Sequence, residues 1–222
     1  MEVIVESTKL KVNEIFYSLQ GEGARAGEPS IFIRLSGCSA AKACAKSGVV
    51  CDTDYEDGEW LSLNDIIDRI NCETIMTGQN RYKMNLWIVW TGGEPLDQLT
   101  GDVLEYFHNE GFLQAVETSG IKKPPVFGES SRSFDFISLS PKIPEKAILK
   151  IWEEYYPSEI RYVRSKGQEI PDTKLQAYDY YISPHSDGNQ INKENLDWCI
   201  DLCKANPEWK LSVQQHKIWN VR

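Results

Sequence analysis

The chain has 222 residues, 41% of them hydrophobic and 26% charged, which suits one large globular domain with a substantial core. A formal net charge of -9 argues against a nucleic-acid-binding face, which needs clustered Lys and Arg. No apolar run approaches the roughly 20 residues that span a bilayer, and the first residues lack a signal-peptide pattern. We therefore expect a cytoplasmic protein that has neither nucleic acid nor membrane as a partner.

Strands alternate with helix-length segments along the chain. The predicted strands are 30–37, 85–90, 112–120, 134–142, 159–167 and 178–185. Predicted helices cover 62–70, with Ser62 as the N-cap, a segment after Pro95, and the regions near 145–156 and 192–205. This order predicts an α/β fold with a parallel sheet of about six strands, either a partial barrel or an open sheet.

Polar and glycine-rich motifs follow five of these strands. They are Gly37-Cys38, Thr91 to Glu94, Glu117 to Gly120, Ser140 to Lys142, and Ser183 to His185. Because the carboxyl ends of parallel strands share one edge and form the ligand site in both architectures, we expect these motifs to converge. Their convergence indicates an enzyme.

Three cysteines, Cys38, Cys44 and Cys51, lie within fourteen residues after the first of these strands. Three thiolates on one loop suit a [4Fe-4S] cluster, because thiolates are its usual ligands. A closed zinc site needs a fourth ligand, which His185 or His216 could supply. Three ordinary loop cysteines are the third interpretation, and the spacing alone does not choose between them.

The other cysteines have packing explanations. Cys199 and Cys203 belong to the apolar stripe of a predicted helix, and Cys72 follows another helix, where we expect a packing role. All six are interpreted as reduced thiols.

The Gly92-Gly93-Glu94-Pro95 step can be a simple strand-to-helix turn or part of a binding site. Paired glycines allow another group to approach the backbone closely. The Glu94 carboxylate could accept a hydrogen bond from a ligand's ammonium group.

Together, the cysteine loop and Gly-Gly-Glu-Pro resemble the radical S-adenosylmethionine (SAM) superfamily. Within it, the segments FYSLQGEGARAGEPSIFIRLSGC, CDTDY, TGGEP, ETSG, SPK and QHK look like the family of 7-carboxy-7-deazaguanine synthases, from about Val12 onward. One departure is that the superfamily's loop ends in Cys-x2-Cys, whereas Gly48 stands at that position here. Cys44 is then the cysteine left for the middle ligand.

The resemblance implies one radical SAM domain over 1–222, a partial TIM-like barrel of about six parallel strands with an N-terminal strand or hairpin extension. It implies a [4Fe-4S] cluster on Cys38, Cys44 and Cys51, with SAM on the remaining iron and no catalytic residue beyond the cluster and SAM. The SAM contacts it implies are Val50, Asp52, Gly92, Gly93, Glu94, Glu117, Ser140, Pro141, Lys142, Ser183, Pro184, His185 and Ser186.

The resemblance also implies a lyase reaction in queuosine-type deazapurine biosynthesis, from 6-carboxy-5,6,7,8-tetrahydropterin to 7-carboxy-7-deazaguanine with loss of ammonia. The substrate contacts it implies are Leu19, Gln20, Gly21, Glu22, Arg34, Thr91, His216 and Arg222. Thr53 matches a contact to Mg2+, an ion that takes few protein ligands. A homodimer and an electron donor such as a flavodoxin are further implied partners.

Two other functions stay open at this point. A radical SAM enzyme that activates a glycyl-radical partner would use the cysteine loop but gives no reason for SLQGEG or QHK. A non-catalytic zinc module would leave the strand-end motifs without a role.

Overall fold

The computed structural model describes residues 7–46, 55–76, 86–129, 131–153, 155–188 and 190–222. Four residues given roles above, Val50, Cys51, Asp52 and Thr53, lie outside these ranges, and their roles stay predictions.

Within the described ranges the chain forms one sheet of nine strands with helices between them. Strands β1 to β9 are Lys9–Leu19, Pro29–Leu35, Glu59–Ser62, Trp87–Gly92, Leu113–Thr118, Phe136–Leu139, Glu159–Arg164, Asp179–Pro184 and Trp209–Leu211. Helices α1 to α6 are Ala41–Lys46, Leu63–Met76, Gly101–Asn109, Glu145–Trp152, Lys193–Ala205 and Gln215–Trp219. Two 3-10 turns cover Gly23–Arg25 and Pro95–Asp97.

The sheet is mostly parallel, as the alternation of strands and helices predicts. Its order is β3-β1-β2-β4-β5-β6-β7-β8-β9. Every neighbouring pair from β2 to β9 is parallel, whereas β1 pairs antiparallel with both β2 and β3. The described sheet therefore has seven parallel strands, and the prediction of about six was too low because it missed the three-residue strand β9.

Alternation along each strand separates two faces of the sheet. On β2, Ile31 and Ile33 are fully buried and belong to the large core that includes Ile66 of α2 and Phe107 of α3. The side chain between them, Phe32, belongs to a separate small cluster. The helices thus cover one face, and the opposite face is left to build the site.

The helix α2 begins where the capping pattern places it. The Ser62 hydroxyl accepts a hydrogen bond from the Asp65 amide at 3.1 Å, and the Asp65 carboxylate accepts one from the Ser62 amide at 3.0 Å. The helix continues to Met76, so Cys72 lies inside it and is exposed. The expectation that Cys72 follows the helix in a packing role is wrong.

In the ranges that the structure describes, none of the helices combines the length and the apolar character needed to cross a membrane.

Candidate active site

Two neighbouring cavities lie where the parallel strands end. The cysteine-side cavity, of about 640 Å³, is lined by Cys38, Cys44, Gly92, Gly93, Ser140, Lys142, Ser183, Pro184, His185 and Ser186. The C-terminal cavity, of about 660 Å³, is lined by Leu19, Gln20, Gly21, Arg34, His216 and Arg222. Four residues line both cavities, namely Glu22, Thr91, Glu117 and Gln214. We call these four residues the shared wall.

The cysteine loop begins directly after β2 and carries its second cysteine on α1. The Cys44 amide donates to the Ala40 carbonyl at 3.0 Å, so the short helix turns Cys44 back toward the cavity that Cys38 also lines. Ser39 donates to the Asp97 carboxylate from both its amide and its hydroxyl at 2.8 Å. The start of the loop is therefore tied to the turn that follows β4. Both cysteines are half-buried.

Gly92 and Gly93 are required by backbone packing against the cysteine loop. The Gly93 amide donates to the Leu35 carbonyl at 2.9 Å, and the Glu94 amide donates to the Gly37 carbonyl at 3.0 Å. A Cβ at Gly92 would stand 2.3 Å from the Leu35 carbonyl oxygen, and one at Gly93 would stand 1.8 Å from that of Gly37. No side chain fits such distances. The group that approaches the paired glycines is thus the backbone leading into Cys38.

Glu94 lies behind the cavities and lines neither of them. Its side chain is fully buried, and its carboxylate accepts hydrogen bonds from the Leu96 amide at 3.2 Å, the Thr118 hydroxyl at 2.7 Å and the Ser119 amide at 2.9 Å, as well as from the Ser119 hydroxyl. These donors occupy both oxygens. Glu94 therefore joins the end of β4 to the end of β5 and holds the glycine turn in place.

Polar groups on the far side of the cysteine-side cavity come from the ends of β6 and β8. The Ser183 hydroxyl is buried and has no hydrogen-bond partner among the described residues. A buried hydroxyl of this kind costs free energy unless a ligand or water satisfies it, so its position in the lining fits a polar cofactor. The Ser186 hydroxyl donates to Gln214 of the shared wall at 2.9 Å. Pro141 separates the lining residues Ser140 and Lys142 without lining the cavity itself.

The first and last predicted motifs meet at the C-terminal cavity. Gly21 accepts a hydrogen bond from the Gln215 amide at 2.9 Å, and a Cβ at Gly21 would stand 2.2 Å from Nδ1 of His216. The segments SLQGEG and QHK therefore form one surface, although they lie near opposite ends of the sequence.

Two arginines converge on Glu14 at the edge of the same cavity. Arg34 Nε lies 2.7 Å and Arg222 Nη2 lies 3.1 Å from the Glu14 carboxylate. Both guanidinium groups lie over the Phe16 ring, at 5.9 and 5.3 Å. The Nη groups of Arg34 are not used in this pair, so the residue can still bind a second carboxylate.

The shared wall is held by an arginine that the sequence analysis missed. Arg161, on β7, is buried with 6% of its side chain exposed, and it pairs with Glu22 at 2.6 Å, Glu117 at 2.8 Å and Glu159 at 3.0 Å. Glu117 also accepts hydrogen bonds from Thr91 at 2.9 Å and Gln20 at 3.2 Å. A signal for this arrangement was present, since Glu159 and Arg161 are two residues apart and so share one face of a buried strand.

These contacts determine the charge of the wall. Burial by itself would raise the pKa of Glu117, but the Arg161 guanidinium and the hydrogen bonds from Arg161, Thr91 and Gln20 outweigh burial, and the pKa lies below its usual value. Burial would lower the pKa of Arg161, but the three carboxylates raise it overall. The wall therefore presents an ionised Glu117 carboxylate beside one permanent cation.

The donor set fits a sulfur-ligated cluster. Cys38 and Cys44 line one cavity, the third predicted ligand Cys51 lies outside the described ranges, and within those ranges no three His, Cys, Asp or Glu side chains are grouped as a metal site. The orphaned hydroxyl of Ser183 lies in the same cavity. Two cysteines and a serine with an unsatisfied hydroxyl line one cavity, which is compatible with a cluster and a cofactor bound beside it.

Comparisons with known proteins agree with this geometry. The chain is 33% identical over 223 residues to the 7-carboxy-7-deazaguanine synthase of Bradyrhizobium diazoefficiens, covering 95% of this chain and 98% of that protein. It is also 33% identical over 220 residues to the enzyme of the same name from Burkholderia multivorans, with 95% and 98% covered. No family model matches the chain.

A solved structure supports the fold. The crystal structure of QueE from Escherichia coli is similar with a TM-score of 0.63 and 21% identity, over 96% of this chain and 97% of that chain.

The relatives named above, together with a cysteine loop and a glycine turn that line one cavity at the carboxyl ends of parallel strands, show that this protein is a radical SAM enzyme, a class that carries a [4Fe-4S] cluster and SAM. Within that class, the near-complete alignments at 33% identity show that the chain belongs to the 7-carboxy-7-deazaguanine synthase family.

Proposed function

We propose that the cysteine-side cavity holds the cluster and SAM, and that the C-terminal cavity holds 6-carboxy-5,6,7,8-tetrahydropterin, which is converted to 7-carboxy-7-deazaguanine with loss of ammonia. The observation that carries this proposal is the shared wall, because the two cavities are in direct contact there, as a cofactor and a substrate that react with each other would need to be. A hydrogen abstraction needs such contact, since the reacting atoms must meet within about 3–3.5 Å.

On the cofactor side, Cys38, Cys44 and Cys51 would bind the cluster. Gly92 and Gly93 would offer backbone groups to the methionine part of SAM. The buried Ser183 hydroxyl, which has no partner among the described residues, would form a hydrogen bond with SAM. When bound, SAM and the cluster supply the radical that removes the hydrogen at C6 of the substrate.

On the substrate side, Arg34 would bind the substrate carboxylate with its Nη groups while Glu14 holds its Nε. Gln20 and Glu22 would pair with the donor and acceptor edge of the pterin. His216, which is packed against Gly21, would cover the other side of the bound pterin. These residues orient the substrate and exclude water, and the product formula equals that of the substrate minus ammonia, so no external oxidant is required.

Several further parts of the proposal are supported by family membership alone. These are Mg2+ bound near Thr53, a sheet that curves into a partial barrel, a homodimer, a flavodoxin-like electron donor, a cytoplasmic location and the use of the product in a queuosine-type pathway.

The test is an anaerobic reaction of the reconstituted protein with a chemical reductant, SAM and the carboxy-tetrahydropterin. We expect a product lighter than the substrate by one ammonia. A protein that binds iron and SAM but leaves this pterin unchanged would refute the substrate assignment and would return a glycyl-radical partner to consideration.

Two matched cysteine variants test the cluster ligands. A protein that carries a [4Fe-4S] cluster is brown. Cys44→Ala should lose this colour and most of the bound iron, because the substitution removes one thiolate from the cavity. Cys72→Ala, a change at an exposed helix position, should keep both. Iron and absorbance in Cys44→Ala equal to those of the parent would exclude Cys44 as a ligand.

A further inference from the structure

One guanidinium group, that of Arg161, fixes both carboxylates of the shared wall. Its Nη1 donates to Glu22 at 2.6 Å and its Nη2 donates to Glu117 at 2.8 Å. Its Nε donates to the Ser138 hydroxyl at 2.6 Å. Each nitrogen of the planar fork thus has a partner of its own, and Nε also lies 3.0 Å from Glu159 on the same strand. Glu22, Glu117 and Ser138 lie on segments of the chain that are distant in sequence.

Further hydrogen bonds hold the partners of the Arg161 guanidinium group in place. The Ser138 hydroxyl donates to Glu159 at 2.8 Å, and the other oxygen of Glu159 accepts from the Ala24 amide at 2.8 Å. A Cβ at Gly23 would stand 2.2 Å from the Glu159 carboxylate, so the turn that follows Glu22 is packed directly onto this group. The position of Glu22 is consequently determined from both its side chain and its backbone.

Lysine cannot replace this arrangement. A lysine has the same charge, but its single ammonium group has no fork with which to hold Glu22 and Glu117 at fixed separation and to bond Ser138 as well. Removing the charge altogether would leave three carboxylates close together with no cation between them, which is strongly destabilising in a buried site.

We propose that Arg161 is a positioning residue that couples the two cavities, holding Glu22 toward the pterin and Glu117 toward SAM as one rigid unit. The inference rests on the proposed function for the identity of the two ligands. It adds that a change at Arg161, which itself lines only the cysteine-side cavity, must weaken binding on both sides of the wall, whereas a change at a lining residue that does not hold the wall affects its own cavity first.

The experiment compares Arg161→Lys with Arg69→Lys, a control at the exposed ion pair between Arg69 and Glu59. Calorimetric titration with SAM and steady-state kinetics with the carboxy-tetrahydropterin are measured on each reconstituted protein. For Arg161→Lys we expect parent-like iron content, weaker SAM binding, and kcat/KM lower by about 100-fold, the cost of misplacing reacting groups by about 1 Å. The control should match the parent.

A folded Arg161→Lys protein with parent-like SAM affinity and parent-like kcat/KM would overturn the proposal. Weakening of only one of the two ligands would overturn it as well, because coupling requires both. If the parent itself leaves the pterin unchanged, the proposed substrate fails while the SAM titration still tests Arg161.

A milder variant decides the matter if Arg161→Lys does not fold. Ser138→Ala retains every charge and removes only the hydroxyl that bridges Nε of Arg161 and the Glu159 carboxylate, and Ser138 lines neither cavity. The variant loses both hydrogen bonds of this hydroxyl while Nε keeps Glu159 at 3.0 Å, so both SAM affinity and kcat/KM should weaken by about threefold to tenfold. Parent-like values for both would overturn the proposal.

Discussion

The Gly93→Ala substitution tests how the cysteine loop is positioned. The new Cβ would stand 1.8 Å from the Gly37 carbonyl oxygen, and since real contacts of this kind are no shorter than about 3.0 Å, that carbonyl must retreat by about 1.2 Å. The same carbonyl accepts the Glu94 amide and belongs to the peptide unit that leads into Cys38. The substitution must therefore displace Cys38.

The expected cost combines two effects. Overpacking a tight site costs about 1–3 kcal/mol, and loss of the Glu94 hydrogen bond costs about 1 kcal/mol. For a chain of this length, 1 kcal/mol corresponds to about 2–4 °C in Tm. The sum of about 2–4 kcal/mol therefore lowers Tm by about 4–16 °C.

Gly111→Ala provides a control that separates stability from local geometry. Gly111 has a φ of +85°, and a Cβ added there would meet nothing within 4 Å, so alanine at this position costs about 1–2 kcal/mol of backbone strain far from the site. Calorimetry and iron analysis after anaerobic reconstitution are run on both variants. We expect both to melt earlier and only Gly93→Ala to lose iron. Full iron content in Gly93→Ala would show that the glycine turn does not position Cys38.

Three other outcomes are expected. Glu94→Gln replaces an acceptor with an amide whose NH2 group faces donors, so calorimetry should show about 1–3 kcal/mol lower stability and titration should show weaker SAM binding. Glu117→Gln should make Tm less sensitive to acid: the lowered pKa of Glu117 gives stability that is present above its unfolded pKa, near 4.3, and is lost as pH falls through the lower folded value. Burial, followed by the neighbouring Cys203, raises the pKa of the Cys199 thiol to about 11, so iodoacetamide at about pH 8 should label exposed Cys72 first and leave Cys199 unmodified in the native protein.

Each of these expectations has a contrary result. A Glu94→Gln protein as stable as the parent would show that its four hydrogen bonds contribute nothing net. A parent-like acid profile for Glu117→Gln would contradict the lowered pKa, and equal labelling rates for Cys199 and Cys72 would contradict the burial of Cys199.

The strands that build the site could be predicted because their apolar residues are continuous and their ends carry glycine and polar residues. The antiparallel edge was harder to predict. The strand β3 has four residues, of which Trp60 is 61% exposed, so its pattern resembles that of a surface loop. Its last residue, Ser62, is predicted only as the cap of α2, and it serves both elements.

Some of the candidate site residues could likewise be predicted from the sequence, and others were harder to predict. Residues at strand ends, such as Thr91 and Glu117, could be found by position because the edge of the sheet collects them. Arg161 is harder to find, because an arginine on a strand can face solvent or the interior. Glu159 on the same strand face is a local signal, but Glu22 and Glu117, which are distant in sequence, complete the arrangement. The hydrogen bonds of Glu94 could not be predicted for a similar reason, since their donors come from β5 and the residue after it, and the contact between Glu94 and SAM stays a prediction.

The contact between Gly21 and His216 means that the C-terminal cavity cannot form until the last helix has been made. A ribosome produces the segment around Gly21 early and helix α6 late, so the cavity that they share does not exist while the strands between them are being made. The cysteines of the loop after β2 emerge long before that point. A growing chain thus contains the whole cysteine loop early, whereas the C-terminal cavity forms only after the rest of the sheet has been translated.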